Sequence, residues 1–156
     1  EALACDWSAL VPAACHARSI YVIGRGPGFA IAQEAALKFK ETCQIHAESY
    51  SAAEVLHGPV SIVGENFPVI AFAAADAAEE SVGDMVQALA DKGAHVFATT
   101  DKAKGADVLP HVRTDHWITD PISSIVSFYG MVDAVAARRG LNPDAPRHLN
   151  KVTETV

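Results

Sequence analysis

Positive charge is scarce in this sequence. Lysine and arginine total 12 against 19 aspartates and glutamates, a formal charge of -7 over 156 residues. A net acidic chain gains little from phosphate backbones, so nucleic acid is not expected as a partner, although single basic residues can still meet a small anion. Long apolar runs are missing too. Half of the residues are hydrophobic, yet no stretch approaches the ~20 residues of a membrane span and no signal peptide stands at the start, so no membrane partner is expected. Cysteine is sparse: Cys5, Cys15 and Cys43 are odd in number and lack metal-type pairing, which suits reduced thiols in a cytoplasm. An initiating methionine is also absent, the first residues being Glu1-Ala2-Leu3, as expected of a piece of a longer chain.

What is present suffices for one domain with a full core, and its patterns alternate. Residues 6–14 read as an opening helix with Trp7, Leu10 and Val11 on one face. Residues 19–24 form a β-branched apolar run ending in glycine, a buried strand. After the turn Arg25-Gly-Pro-Gly28, residues 29–42 are rich in helix formers. An extended piece over 45–50 precedes Ser51-Ala-Ala-Glu54, whose capping-box spacing predicts a brief helix up to His57-Gly-Pro59. The second half repeats the rhythm: a strand over 68–73, an amphipathic helix over 79–92 stopped by Gly93, and a strand over 94–99. Shorter strands are expected at 108–109 and 116–118, then a long helix to Arg139 with Asp120 as N-cap and Pro121 at its first position. Such alternation gives an α/β fold with a parallel sheet covered on both faces, its strand over 19–24 central and its ligands outside the strands' carboxyl ends. Residues 142–156 are an irregular polar tail.

Four segments carry residues able to do chemistry. The first is the glycine loop Gly24-Arg-Gly-Pro-Gly28, where backbone N–H groups and a positive helix end could meet an anion. A dinucleotide fingerprint would need a glycine where Phe29 stands, and the loop has no Ser or Thr for phosphate oxygens, so a tight strand-to-helix turn is the plainer reading. The second is Glu34-Ala-Ala-Leu-Lys38-Phe-Lys40-Glu41. Glu34, Lys38 and Glu41 share one helix face, as in any solvated ion-pair stripe. Glu41, however, lies at the helix C-terminus, where a carboxylate is electrostatically disfavoured, a setting that suits a general base. The third is Glu54-Val-Leu-His57-Gly-Pro59: histidine exchanges protons near neutral pH, although a loop histidine is more often a surface or capping residue. The nearby His46-Ala-Glu48 resembles the zinc-deaminase H-x-E but lacks the following Pro-Cys-x-x-Cys, so neither a metal nor another cofactor is expected. The fourth is the tail segment Leu149-Asn-Lys151. A terminal lysine is usually just solvated, but Pro146, Leu149 and Val152 could pin the tail to the body and give Lys151 a partly dry setting.

Together these segments resemble the C-terminal SIS (sugar isomerase) subdomain of the glucosamine-6-phosphate synthase group and of glutamine-independent glucosamine-6-phosphate deaminases. The resemblance rests on Ile23-Gly-Arg-Gly26, Glu34 through Glu41, His46-Ala-Glu48, Ala53-Glu54, His57-Gly-Pro59 and the tail from Pro146 to Val152, and covers the chain from Ser19 onward. It implies a single SIS domain over 1–156, a three-layer sandwich around a parallel, five-stranded sheet, with the tail over the active site. By the same resemblance Glu41 moves a proton between C1 and C2 of a phosphorylated sugar, His57 assists ring opening, and Lys151 forms an imine with the sugar carbonyl. Lys38, Gly26 and Asn150 are the expected substrate-binding residues. The chemistry agrees, since isomerisation needs one base serving neighbouring carbons, and an attacking amine must be neutral.

The family holds the sugar phosphate with a Ser/Thr-rich loop of its first SIS subdomain, and no such loop occurs here. The chain therefore reads as half a site, completed by an upstream SIS subdomain and by a homodimer partner, with His57 acting across the interface. Alone it is expected to fold but to turn nothing over. The closing Leu149-Asn-Lys-Val-Thr-Glu-Thr-Val156 looks more like the deaminase group than the synthase. A non-catalytic SIS sensor has no need of Glu41, His57 and Lys151 together. A dinucleotide-binding domain leaves His57-Gly-Pro59 and the tail unexplained.

Overall fold

The computed structural model describes residues 1–149. Five strands, β1 (Ser19–Gly24), β2 (His46–Ser51), β3 (Pro68–Phe72), β4 (His95–Ala98) and β5 (Ala106–Val108), form one sheet in the order β2-β1-β3-β4-β5, every neighbouring pair parallel. β3 is the middle strand. β1 is interior but one place from the edge, which corrects the expectation that it is central. Four helices cover the sheet: α1 (Leu10–His16), α2 (Pro27–Cys43), α3 (Glu79–Ala90) and α4 (Asp120–Arg138).

The strand period of two divides the apolar residues between two cores. Ile20, Val22, Ile70, Phe72 and Phe97 point to one face, where α1, α2 and α4 bring Leu10, Ala32, Phe39, Phe128 and Val135. Tyr21, Ile23, Val69, Ala71 and Val96 point to the other, where α3 brings Val82, Val86 and Leu89. Phe39 and Phe128 meet edge to face, ring centres 5.2 Å apart, and fix α2 against α4. Among the described residues no helix is long and apolar enough to cross a membrane.

Three local expectations give way. Residues 116–118 are not a strand: Trp117–Thr119 is a single 3-10 turn. The His116 ring accepts the Ile118 N–H, and the Thr114 and Thr119 hydroxyls both donate to the His116 carbonyl, so side chains use the groups a ladder would need. Asp120 is not the N-cap but the first helical residue, its buried carboxylate turned away from its own helix to accept the N–H groups of Ala75 and Thr114. The brief helix after Ser51 shrinks to a turn, with Ser51 Oγ accepting the Ala53 N–H, and a 3-10 turn over Val55–His57.

Candidate functional site

The glycine turn is built for close packing. A Cβ on Gly24 would stand 2.3 Å from the Gly28 carbonyl oxygen, and one on Gly28 would stand 2.7 Å from that of Phe72, so β1, the turn and β3 meet backbone to backbone. Gly26 takes φ 55° and ψ -131° and is exposed, with Asp76 Oδ2 3.1 Å from where its Cβ would be. A carboxylate rather than a hydroxyl therefore stands beside Gly26. Arg25 reaches across to donate to Ser81 Oγ at 3.3 Å.

From this turn at the carboxyl end of β1, α2 runs back to the amino-terminal ends of the strands, so Glu41 stands away from the carboxyl ends where ligands were expected. Gly26 and Glu41 thus lie at the two ends of one helix, ~22 Å apart at 1.5 Å per residue. At the far end Lys38 Nζ is 2.6 Å from Glu41 Oε2 and 3.7 Å from Glu34 Oε1, all three side chains about two-thirds buried. The Glu41 hydrogen bond raises Lys38 above the ordinary lysine value; burial opposes this, and Glu34 adds to it. Lys38 is accordingly a fixed cation, not a neutral amine. Tyr129, from α4, donates to Glu34 Oε1 at 3.0 Å.

His57 lies on the other side of the sheet. Val55 is fully buried in the α3-side core, and Tyr21, rising from β1 on that same side, donates to the Pro59 carbonyl at 2.9 Å. Burial, then the neighbouring Tyr50 and Glu48, push the Tyr21 phenol up to about 12, so it remains a donor. Between these two anchors Leu56, His57 and Gly58 are held out in the open. The sheet separates His57 from the Lys38–Glu41 pair within one chain. Of the expected site residues the fold brings Lys38 to Glu41, and sets Gly26 and His57 apart from them. Asn150 and Lys151 lie outside the described residues. Leu149, expected to help pin the tail to the body, is 49% exposed.

Two features escaped sequence reading. Tyr129 lies 95 residues from Glu34, and no local spacing announces such a pair. Arg113 is the hub of a second network at the carboxyl ends of β3 and β4. It donates to Glu79, to Asp120 and to the Ala73 and Thr99 carbonyls, while Lys102 and Thr100 complete the shell of Glu79. Glu79 is 5% exposed and Asp120 1%. Burial would raise both carboxyls, but hydrogen bonds outweigh it and hold them below the ordinary range: Lys102 and Thr100 at Glu79, Ala75 and Thr114 at Asp120, with the Arg113 charge at each.

Known proteins share this architecture. A sequence model of the SIS domain family matches residues 15–138. The glutamine–fructose-6-phosphate aminotransferases (isomerizing) of Aeropyrum pernix and Pyrobaculum aerophilum are 40% and 37% identical, over 90% and 88% of this chain, but it spans only 23% of either. A crystal structure from Silicibacter pomeroyi, provisionally described as a phosphosugar isomerase, is 57% identical with a TM-score of 0.86, over 92% of this chain and 44% of that one. Glucosamine-6-phosphate deaminase of Thermotoga maritima shares the fold, with a TM-score of 0.69 at 22% identity over 92% of this chain and 45% of that one. With residues 15–138 matched and the parallel five-stranded sheet between helices in place, the chain belongs to the SIS domain family.

Proposed function

We propose that this chain is the C-terminal SIS half of a cytoplasmic amino-sugar phosphate isomerase/deaminase acting on glucosamine 6-phosphate and fructose 6-phosphate. The observation that supports it is the Lys38–Glu41 pair, a carboxylate at the end of α2 held by a fixed ammonium on a partly open face. In this reading Glu41 removes a proton from one carbon of the open-chain sugar phosphate and returns it to the neighbour. Lys38 balances the base's charge and stays protonated throughout. His57 transfers protons at the ring oxygen and anomeric hydroxyl of the cyclic sugar, in a site of a second copy. Lys151 supplies the amine that meets the sugar carbonyl and Asn150 holds the substrate beside it, while Gly26, remote from Glu41 along α2, is the weakest of the substrate contacts. The phosphate is held by an upstream SIS subdomain.

A second reading, the isomerase domain of a glutamine-dependent synthase, is favoured by the named aminotransferase relatives. The deaminase reading draws on the 57% identical protein, whose chain is roughly twice as long as this one, room for two SIS units without a glutaminase. The intact protein with glucosamine 6-phosphate and no glutamine decides between them. Release of ammonia with fructose 6-phosphate is expected. No ammonia release, with glucosamine 6-phosphate formed instead from fructose 6-phosphate when glutamine is supplied, would establish the synthase, and binding without either reaction would leave a sensor.

A further inference from the structure

The three charges at the end of α2 are arranged against the ordinary preference of a helix. A glutamate four residues before a lysine is the favourable order, and a carboxylate in the last turn is the unfavourable one. On that ground Lys38 should side with Glu34. Instead it stands 2.6 Å from Glu41 and 3.7 Å from Glu34. The Glu34 oxygen that faces Lys38, Oε1, is shared: it also accepts the Tyr129 hydroxyl at 3.0 Å, from a helix packed against α2.

We infer that Tyr129 is a positioning residue for the isomerisation base: by donating to Glu34 Oε1 it weakens that oxygen's hold on the Lys38 ammonium, which sides with Glu41. The inference rests on the proposed role of Glu41, but its contact chain does not. The titratable groups concerned are Glu34, Lys38 and Glu41 on α2 and Tyr129 on α4, with Asp133 one turn further along α4. Burial, then the Glu34 hydrogen bond and charge, raise the Tyr129 phenol, so it keeps its proton wherever the enzyme would work. The phenol's hydrogen bond goes to Glu34 and not to Glu41, so it acts through Glu34 and Lys38.

Tyr129→Phe removes only the hydroxyl. Glu34, left without a donor, then competes for Lys38, and Glu41 loses part of its counter-charge. Carboxyl 13C NMR of glutamate-labelled protein at neutral pH should show the Glu41 side-chain resonance moving as the Lys38 ammonium is drawn towards Glu34. In the intact enzyme kcat should fall about threefold with KM little changed. Adding Glu34→Gln should return both to wild-type values, because an amide does not hold the ammonium by charge. An unmoved Glu41 resonance in a normally melting Tyr129→Phe protein overturns the inference, as does a movement that Glu34→Gln leaves in place. Glu41→Gln separates this from the proposed function. Full activity in that variant removes Glu41 as the base, whereas the Glu41 resonance of Tyr129→Phe still reports whether Tyr129 steers Lys38.

Discussion

Gly28 meets Phe72 so closely that a Cβ on the glycine would stand 2.7 Å from the Phe72 carbonyl oxygen. That oxygen belongs to the middle strand of the sheet and cannot yield without moving β3. Gly28→Ala should therefore cost about 1–3 kcal/mol, as overpacking does in a well-filled core. Gly130 is the control: it lies inside α4 with open space where its Cβ would be. Gly130→Ala should stabilise by about 0.5–1 kcal/mol. Urea midpoints of the two variants moving in the same direction would show that the close approach at Gly28 carries no energetic weight.

The Arg113 network gives a second test. Arg113→Met leaves Glu79 and Asp120 buried without their guanidinium, the situation in which breaking a buried pair costs about 3–5 kcal/mol. Lysine at this position cannot serve both acids and two carbonyls, because it lacks the planar fork. Arg113→Lys should recover less than half of the loss in chemical denaturation. Recovery to wild-type stability would reduce the site to a single charge contact.

Acid should act through the same residues. The folded-state pKa values of Glu79 and Asp120 are depressed below their ordinary 4.5 and 3.8. Groups so depressed contribute stability that is complete above the ordinary values and is lost as the pH falls through the folded ones. The melting temperature should thus hold from neutrality to about pH 5 and drop below it. Arg113→Met, which weakens the depression, should show a shallower acid drop from its lower starting point. An equally steep drop in both proteins would assign acid lability to other carboxylates.

Most of the frame was legible because it depends on short-range patterns. The apolar run at 19–24 is a buried parallel strand for the reason expected, with Ile20 and Val22 on one face and Tyr21 and Ile23 on the other. The helix carrying Glu34, Lys38 and Glu41 was readable from spacing alone, and so was the Lys38 contact with its neighbours. The failures are where side chains bond backbone locally or partners come from afar. His116 and Thr114 made a 3-10 turn of residues whose composition suggested a strand. Asp120 carries the signature of a cap, but its carboxylate serves the Ala75 loop, 45 residues away. No sequence spacing could place Tyr129 on Glu34, or reveal that β1 and β2 put His57 behind the sheet from Glu41.

That last separation yields the sharpest test of how a site would be shared. Glu41 ends α2 on one side of the sheet, and His57 is held out between Val55 and Pro59 on the other. A single chain cannot bring the two side chains to one sugar without unfolding the sheet between them, so each site should take its base from one copy and its histidine from another. Glu41→Gln and His57→Ala should each inactivate the intact protein on cyclic substrate. Denatured together and refolded, they should recover about a quarter of wild-type activity, since half of the dimers are mixed and each mixed dimer holds one intact site of two. The same mixture assayed on an open-chain analogue should recover more, because His57→Ala spares a substrate that needs no ring opening. Two inactive variants that stay inactive after mixing would mean that His57 and Glu41 do not meet across a dimer interface. Full activity of His57→Ala alone on the cyclic sugar would instead make His57 a residue of the exposed loop and no part of the site.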